Sequence, residues 1–228
     1  MHRSSNNRLP IEDPLIYVPK ALTKFHSIWL RLTYPFASIG HNLSIHFSCR
    51  LHRSTARRIK IGSSVTMGKD SWINVSSTKE ATGEPIIVVD DNVHIGPRAQ
   101  ISARNYIHIE QNTLIASSVL IQDHNHGYED ITKPIGDQPI TEGGRIRIRE
   151  GSWIGNGAVI MCAKGELIVG RHCVVGANSV VLRSCPPYSV VFGNPAKVIR
   201  FYNVADKRWT LGSRDSADSK LDDSEQED

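Results

Sequence analysis

Two histidines in the segment IQDHNHGYED, residues 121–130, have the residue type and the position for acid–base chemistry. His124 and His126 follow an aliphatic stretch and lie two residues apart, so their side chains point the same way in an extended chain. An imidazole with a pKa of about 6.5 is mostly neutral at pH 7 and can take a proton from an attacking hydroxyl. Both are therefore candidate general bases.

The sequence shows no motif that would mark a nucleophilic serine or cysteine. It has no GxSxG motif, which argues against a covalent serine intermediate. The cysteines show neither close pairing nor a CxxC spacing, which argues against a disulfide framework and against a cysteine zinc site. We expect four buried, inert thiols at Cys49, Cys162, Cys173 and Cys185.

A six-residue period organises the elements that must position these histidines. From Ile61 an aliphatic residue recurs at every sixth position, in IGSSVT and MGKDSW, and the pattern returns from Val89 and Ile109. It stops over 123–145 and resumes as IREGSW and IGNGAV, then as VGRHCV and VGANSV. If each hexapeptide is a short strand plus a corner, three make a triangular coil, and coils stack at about 4.8 Å. The period predicts an all-β fold, a parallel β-helix, with an extruded loop at 123–145.

Small residues and glycines support this interpretation. The position four residues after each aliphatic one should point inward beside a corner, and glycines should relieve the corner backbone. The expected inward residues are Val65, Ser71, Val93, Ala99, Val119, Ala158, Cys173 and Ser179.

Both flanks of the repeat should protect the open ends of the β-helix. Residues 14–35 carry apolar side chains at helical spacing, and we expect this face to cover the first coil. Trp72 should contact that N-terminal cap. We expect a short helix at 201–211 and a flexible acidic tail after it. The apolar positions of the first helix are Leu15, Val18, Leu22, Phe25, Trp29 and Leu32.

The charge is uneven, with basic residues crowded at 50–60 and acidic ones at 215–228, and the net charge is +4. The basic stretch lacks the aromatic residues and motifs of nucleic-acid-binding modules, so we expect no nucleic-acid partner. It could meet a membrane surface or a lipid-linked glycan. No apolar run is long enough to span a membrane, and the N-terminus lacks the apolar core of a signal peptide, which favours a cytoplasmic protein.

Three segments resemble the acetyl-CoA half of the bacterial hexapeptide-repeat acyltransferases, above all the galactoside, maltose and colanic-acid-type O-acetyltransferases. They are GSWIGNGAVI at 151–160, VVGANSVV at 174–181 and PPYSVVFGNPAKVIR at 186–200. The resemblance covers roughly residues 59–200. It implies a left-handed β-helix, a homotrimer with active sites between subunits, and acetyl-CoA as the donor.

The resemblance also assigns roles to individual residues. The family histidine lies five places after the aliphatic residue that opens the strand, which selects His126, with His124 as the alternative. Trp153 should flank the pantetheine arm, in a channel lined by Asn156 and Ala177. The basic residues near the CoA phosphates are Lys197 and Arg200.

We therefore expect an N-terminal cap at 1–58, a β-helix at 59–200 and a helix with a tail at 201–228. The expected activity is transfer of acetyl from acetyl-CoA to a hydroxyl of a sugar or glycan precursor, by histidine base catalysis and without a metal. An N-acetyltransferase acting on an amino-sugar nucleotide is the nearest alternative. A γ-carbonic anhydrase-like zinc enzyme is less favoured, because His94, His108, His124 and His126 lack the required spacing. A non-enzymatic scaffold leaves the histidine loop unexplained.

Overall fold

A computed structural model describes residues 17–76 and 83–211 of the chain. The acidic tail and the start of the first predicted helix, with Leu15, lie outside the described residues. The described part contains one α-helix, α1 (Tyr17–Thr33), and 21 strands. No helix within these two ranges is long and apolar enough to cross a membrane.

The strands are short, and their bounds follow the hexapeptide period. In chain order they are β1 (Ser38–Ile39), β2 (Ser44–Ile45), β3 (Arg50–Leu51), β4 (Ile59–Ile61), β5 (Thr66–Met67), β6 (Trp72–Val75), β7 (Ile87–Val89), β8 (His94–Ile95), β9 (Gln100–Ala103), β10 (Tyr106–Ile109), β11 (Leu114–Ile115), β12 (Leu120–Gln122), β13 (Arg145–Ile148), β14 (Trp153–Ile154), β15 (Val159–Met161), β16 (Glu166–Val169), β17 (Val174–Val175), β18 (Val180–Val181), β19 (Ser189–Gly193), β20 (Ala196–Asn203) and β21 (Arg208–Leu211).

Consecutive strands belong in turn to three sheets, A, B and C, which is the topology of a β-helix. Sheet A has the order β1-β4-β7-β10-β13-β16, sheet C the order β3-β6-β9-β12-β15-β18, and sheet B starts β2-β5-β8-β11-β14-β17-β19. All pairings among these strands are parallel, and aliphatic residues stack on aliphatic residues, as in Ile87 on Ile107 and Ile107 on Ile146. The predicted parallel β architecture is confirmed. Its first strand begins at Ser38, within the segment expected to be the cap.

The core is the column of inward side chains between the three sheets. Each of the eight small positions predicted to point inward is at most 1% exposed. All four cysteines are free and buried, as predicted. Burial is the main cause that raises the pKa of the Cys49 thiol to about 11 and that of Cys185 to about 12.

Glycine occurs at the corners for a different reason from the one expected. The positive φ angles of the corners belong mainly to polar residues such as Asn92 and Asn112, at 57° and 58°. Gly96 and Gly155 are needed because the next coil passes close by: an added Cβ would lie 2.6 Å from the Ala116 carbonyl carbon or 2.7 Å from the Ala177 nitrogen. Glycine therefore permits close stacking of turns more than unusual torsions.

Helix α1 lies against the edge strand β2, but with the opposite face from the one predicted. The Ser27 hydroxyl accepts a hydrogen bond from the Ile45 N–H at 2.8 Å, and His26 Nδ1 donates to the Ile45 carbonyl at 3.1 Å. These polar groups satisfy the strand edge, which otherwise has no partner. The expectation that Phe25, Trp29 and the other apolar positions cover the first coil is wrong, because those side chains are exposed.

The predicted C-terminal helix is also wrong. Residues 196–211 form the antiparallel hairpin β20–β21, which extends sheet B beyond β19. At the turn, Asn203 Oδ1 accepts the Ala205 N–H at 3.0 Å, and the rings of Tyr202 and Trp209 pack edge to face across the two strands. Cross-strand pairing thus overrides a local spacing that could also suit a helix.

Candidate functional site

The two candidate histidines lie where the chain leaves β12 and departs from the coil. Strand β12 belongs to sheet C and β13 to sheet A, so residues 123–144 emerge at the corner between these sheets, the C/A corner. The chain also passes from sheet C to sheet A between β6 and β7, two coils earlier. Residues 123–144, the histidine loop, therefore interrupt the repeat at this edge of the prism.

Asp123 anchors the base of the histidine loop, a role that the sequence analysis missed. Its side chain is fully buried, and its carboxylate accepts backbone N–H groups of Arg104, Asn105 and Tyr106, each at 2.8 Å. The same carboxylate accepts a hydrogen bond from His124 Nδ1 at 2.8 Å. The only signal in the sequence was an acidic residue beside two histidines at the point where the period fails.

The two histidines have different environments. His124 is 9% exposed and is bound to Asp123, an arrangement that fixes the proton on Nδ1 and leaves Nε2 as the free nitrogen. His126 is exposed. Its ring is therefore the accessible one of the pair.

The backbone around His126 is held in place by the returning arm of the loop. His126 forms an isolated antiparallel bridge with Ile140. The Thr141 N–H donates to the Asn125 carbonyl and the Gly127 N–H to the Pro139 carbonyl, both at 2.8 Å. The exposed imidazole is thus carried by a short two-armed ribbon and not by an unsupported loop.

A cleft rich in arginine lies beside the anchor of the histidine loop, and the sequence analysis did not identify it. It has a volume of about 320 Å³, and its lining includes Arg58, Arg104, Tyr106 and Arg145. The Arg145 guanidinium lies 4.4 Å from the centre of the Tyr106 ring, and the Arg104 guanidinium donates to the Ser76 carbonyl at 3.0 Å. Since the turn at 104–106 binds Asp123, the cleft and the histidines share one structural support.

The residues assigned to CoA lie elsewhere, on the outward face of sheet B. Trp153 is 49% exposed and pairs with Val174 in the next strand, Val174 pairs with Val190, and Val190 pairs with Arg200. Cross-strand partners share a face of a sheet, so Trp153 and Arg200 stand in one outward row. Three strand steps separate them, which is about 14 Å at the usual spacing.

A β-bulge brings Lys197 to the same face as Arg200. Residues three apart in a regular strand point to opposite faces. Here Lys197 pairs with Phe192 and Arg200 with Val190, while Ile199 has no partner in the register. Because Val190 and Phe192 are on one face of β19, the two cations are on one face of β20.

Asn156 and Ala177 occupy stacked turns at the corner between sheets B and C. Both are exposed, and the Asn178 N–H donates to the Asn156 carbonyl at 2.8 Å. The absent Cβ of Gly155 keeps the two turns in close contact. These turns directly follow β14, which contains Trp153, and β17.

The residues predicted for catalysis and for CoA binding therefore lie in two separate groups on the chain. The histidine loop is at the C/A corner, whereas Trp153, Asn156 and Ala177 lie on sheet B and at the corner between sheets B and C. The two groups are on different edges of the prism. The predicted catalytic residues and the predicted CoA-binding residues are therefore separate on a single chain.

The histidines considered as zinc ligands are dispersed. His94, on sheet B, hydrogen-bonds through Nδ1 to the Thr66 hydroxyl, and His108, on sheet A, lies 2.8 Å from an Asp90 carboxylate oxygen. Within residues 17–76 and 83–211, no group of three histidine, cysteine or acidic side chains is arranged to hold a metal ion.

Comparisons with known proteins give a consistent result. WbbJ of Escherichia coli, named as a lipopolysaccharide biosynthesis O-acetyl transferase, is 33% identical over 168 residues, which is 71% of this chain and 84% of WbbJ. The galactoside O-acetyltransferase of Escherichia coli is 28% identical over 155 residues, 63% of this chain and 67% of that enzyme. No protein-family model matches.

A solved structure with a similar fold is AntD, an N-acyltransferase from Bacillus cereus, in complex with dTDP and coenzyme A. The TM-score is 0.63 at 16% identity, over 78% of this chain and 90% of AntD. At this identity the likeness concerns the fold alone.

Proposed function

The chain belongs to the hexapeptide-repeat acyltransferase family and uses acetyl-CoA, and from this premise we propose that it acetylates a hydroxyl of a sugar or glycan precursor. The observation that carries the proposal is the exposed His126 on its braced loop. An alcohol is a poor nucleophile at neutral pH and needs a base as it attacks, whereas a free amine does not need one to the same degree. A dedicated histidine therefore favours an oxygen acceptor.

His126 is the proposed general base. Acetyl-CoA supplies the activated acetyl group. His126 takes the hydroxyl proton as the oxygen bonds to the acetyl carbon, and it returns this proton to the sulfur as the carbon–sulfur bond breaks. Its exposed ring suits this role, because the acceptor has to reach the imidazole.

His124 is the second candidate. Its hydrogen bond to Asp123 fixes the tautomer and leaves Nε2 able to accept a proton, as in other histidine–carboxylate pairs. Its low exposure argues that it positions the loop instead. The two roles differ in what an isosteric change does. His124→Asn can keep an N–H for Asp123, so it should preserve most activity if His124 only positions the loop.

We propose that these two groups of residues meet between subunits of a left-handed β-helical homotrimer. In such an assembly the C/A corner of one subunit would face sheet B of its neighbour, so that one chain offers the histidine and the next offers the CoA surface. The separation of the two groups on one chain supports this arrangement, since neither group is complete alone.

The surface of sheet B fits an extended CoA molecule. Trp153 offers a half-exposed indole on which the pantetheine arm can pack, and Asn156 and Ala177 leave a shallow edge beside it. Arg200 lies about 14 Å away and Lys197 is on the same face, where fixed positive charge can offset the phosphates. These roles are proposals that rest on position and chemistry.

The arginine cleft supports an acceptor that carries negative charge. Three arginines and one acidic residue, Glu84, line it, and guanidinium is well suited to bidentate phosphate binding. Phosphorylated acceptors include nucleotide sugars and lipid-linked glycans. The name of WbbJ, which refers to lipopolysaccharide biosynthesis, is compatible with either class.

An acetylation assay tests the proposed function. The full chain is incubated with acetyl-CoA and a panel of nucleotide sugars and glycan precursors, and CoA release is followed with a thiol reagent. The product is then treated with hydroxylamine, which removes an acetyl ester and leaves an acetamide. Ester formation supports the proposal, and an amide product overturns it in favour of N-acetylation.

The histidine assignment has its own test. His126→Ala should lower turnover by about two to four orders of magnitude, the usual contribution of a general base, while leaving CoA affinity within about twofold. His124→Asn is the matched variant and should retain most activity. A nearly normal His126→Ala enzyme together with an inactive His124→Asn enzyme would transfer the role of base to His124.

A further inference from the structure

The outward face of helix α1 is apolar along its whole length. It carries seven exposed apolar side chains, among them Phe25 at 67%, Trp29 at 51% and Leu32 at 78% exposure. A groove of about 340 Å³ with an almost wholly apolar lining runs between this helix and Phe47. The seven large apolar side chains that are exposed on α1 are Tyr17, Val18, Leu22, Phe25, Ile28, Trp29 and Leu32.

This exposure cannot be removed by turning the helix over. The opposite face is fixed to β2 by the side chains of Ser27 and His26, which satisfy the N–H and carbonyl of Ile45. Leu30 is 1% exposed and packs into the core on that side. The helix is therefore already folded and oriented, and its apolar face needs a partner from outside the described chain.

Charge indicates which partner fits. Helix α1 contains no acidic residue, and Lys20, Lys24 and Arg31 are exposed. Their spacing of four and seven residues places them in one stripe along the flank of the apolar face. A surface that offers negative charge beside a fluid apolar layer would match both features. An anionic lipid bilayer has this arrangement, with headgroups above acyl chains.

We propose that α1 is a preformed anchor that lies in the surface of an anionic membrane, with Phe25, Trp29 and Leu32 among the acyl chains and the basic stripe at the headgroups. A two-fold contact between two α1 helices fits less well, because it would bring equal basic stripes near each other. The proposal does not depend on the acetyl acceptor or on the proposed catalytic histidine.

Vesicle sedimentation tests the anchor. The full chain should bind vesicles of phosphatidylcholine with one quarter phosphatidylglycerol, and it should bind pure phosphatidylcholine at least tenfold more weakly. The double variant Phe25→Ser/Leu32→Ser should lose at least tenfold in affinity for the anionic vesicles. Val204→Ser is the control, because Val204 is an equally exposed apolar residue, 66%, on the β20–β21 turn, and it should bind like wild type.

The basic stripe predicts a salt effect that apolar burial alone would not give. The triple variant Lys20→Gln/Lys24→Gln/Arg31→Gln should bind anionic vesicles only as well as neutral ones, and its binding should no longer weaken as sodium chloride is raised. If wild-type binding is insensitive to both headgroup charge and salt, the proposal is overturned.

Fluorescence reports where the helix sits. Brominated phosphatidylcholine should quench emission from Trp29, so Trp29→Phe should abolish most of the lipid-dependent quenching, whereas Trp209→Phe should not.

Light scattering on the same samples examines the competing occupant. If Phe25→Ser/Leu32→Ser breaks a larger assembly into smaller ones and the wild type ignores vesicles, the face belongs to a subunit interface and the proposal fails.

Discussion

Asp123 should be a stabilising residue whose contribution can be worked out from its partners. The carboxylate is fully buried and accepts three backbone N–H groups and the His124 ring. We consider two changes, Asp123→Asn and Asp123→Ala. The first keeps the shape and replaces one acceptor oxygen by an NH₂ group, and the second removes both oxygens.

The geometry sets the size of each effect. If the NH₂ group takes the place of Oδ1, it faces the N–H of Arg104, and if it takes the place of Oδ2, it faces the N–H groups of Asn105 and Tyr106. At least one of these partly buried N–H groups therefore loses its acceptor, and the cost of an unsatisfied donor is about 1–3 kcal/mol. In Asp123→Ala all three lose it, so the cost should be at least about 3 kcal/mol.

Thermal unfolding provides the measurement. For a chain of this length 1 kcal/mol corresponds to about 2–4 °C in Tm. Asp123→Asn should therefore lower Tm by roughly 2–12 °C, and Asp123→Ala by at least about 6 °C. All variants must be compared at one protein concentration, because assembly adds to apparent stability.

A matched control separates the hydrogen bonds from the change in charge. Asp137→Asn makes the same charge change at an exposed position of the same loop and should leave Tm nearly unchanged. If Asp123→Asn and Asp123→Ala both stay within about 1 °C of this control, the buried carboxylate does not support the turn at 104–106, and the reasoning from unsatisfied N–H groups is refuted.

Two further predictions concern cofactor binding and thiol reactivity. The double variant Lys197→Ala/Arg200→Ala should raise the KM for acetyl-CoA with little change in kcat. Its effect on KM should be smaller with acetyl-pantetheine, which lacks the nucleotide phosphates. A loss of kcat at saturating acetyl-CoA would contradict this prediction. Burial raises the pKa of the Cys185 thiol to about 12 and so favours its neutral form, which leaves only about 10⁻⁴ ionised at pH 8. Iodoacetamide should therefore label Cys185 slowly in the native protein and readily in urea, as peptide mass spectrometry would show, and fast native labelling would disprove the assignment.

The hexapeptide period determined the parallel β architecture by itself. Blocks with an aliphatic residue at every sixth position recur between Ile61 and Val181. They predict the inward column, because each repeat makes the same contacts with its neighbours above and below. The extruded loop could be predicted for the same reason, since the pattern fails over 123–145. Local repetition is thus enough to define a fold that is built from nearest-neighbour contacts.

The flanks could not be predicted in this way. The spacing of Phe25, Trp29 and Leu32 indicates a helix, but only the edge of β2 decides that the polar side of α1 faces inward. Residues 201–211 have a spacing that suits a short helix, and pairing with β20 makes them a strand instead. In both cases the deciding groups are unpaired backbone N–H and carbonyl groups of a strand distant in sequence.

The candidate site, like the fold, was predictable from the sequence only in part. The residue types and positions, together with the resemblance to the acyltransferase family, selected His124, His126 and Trp153 as candidates. Only the tertiary structure brings the backbone of residues 104–106 to Asp123, turns Lys197 and Arg200 to one face through the bulge at Ile199, and separates the histidine loop from sheet B. These facts depend on register and on which corner each turn occupies, because a strand pairing or a bulge is a relation between segments that neither segment contains alone.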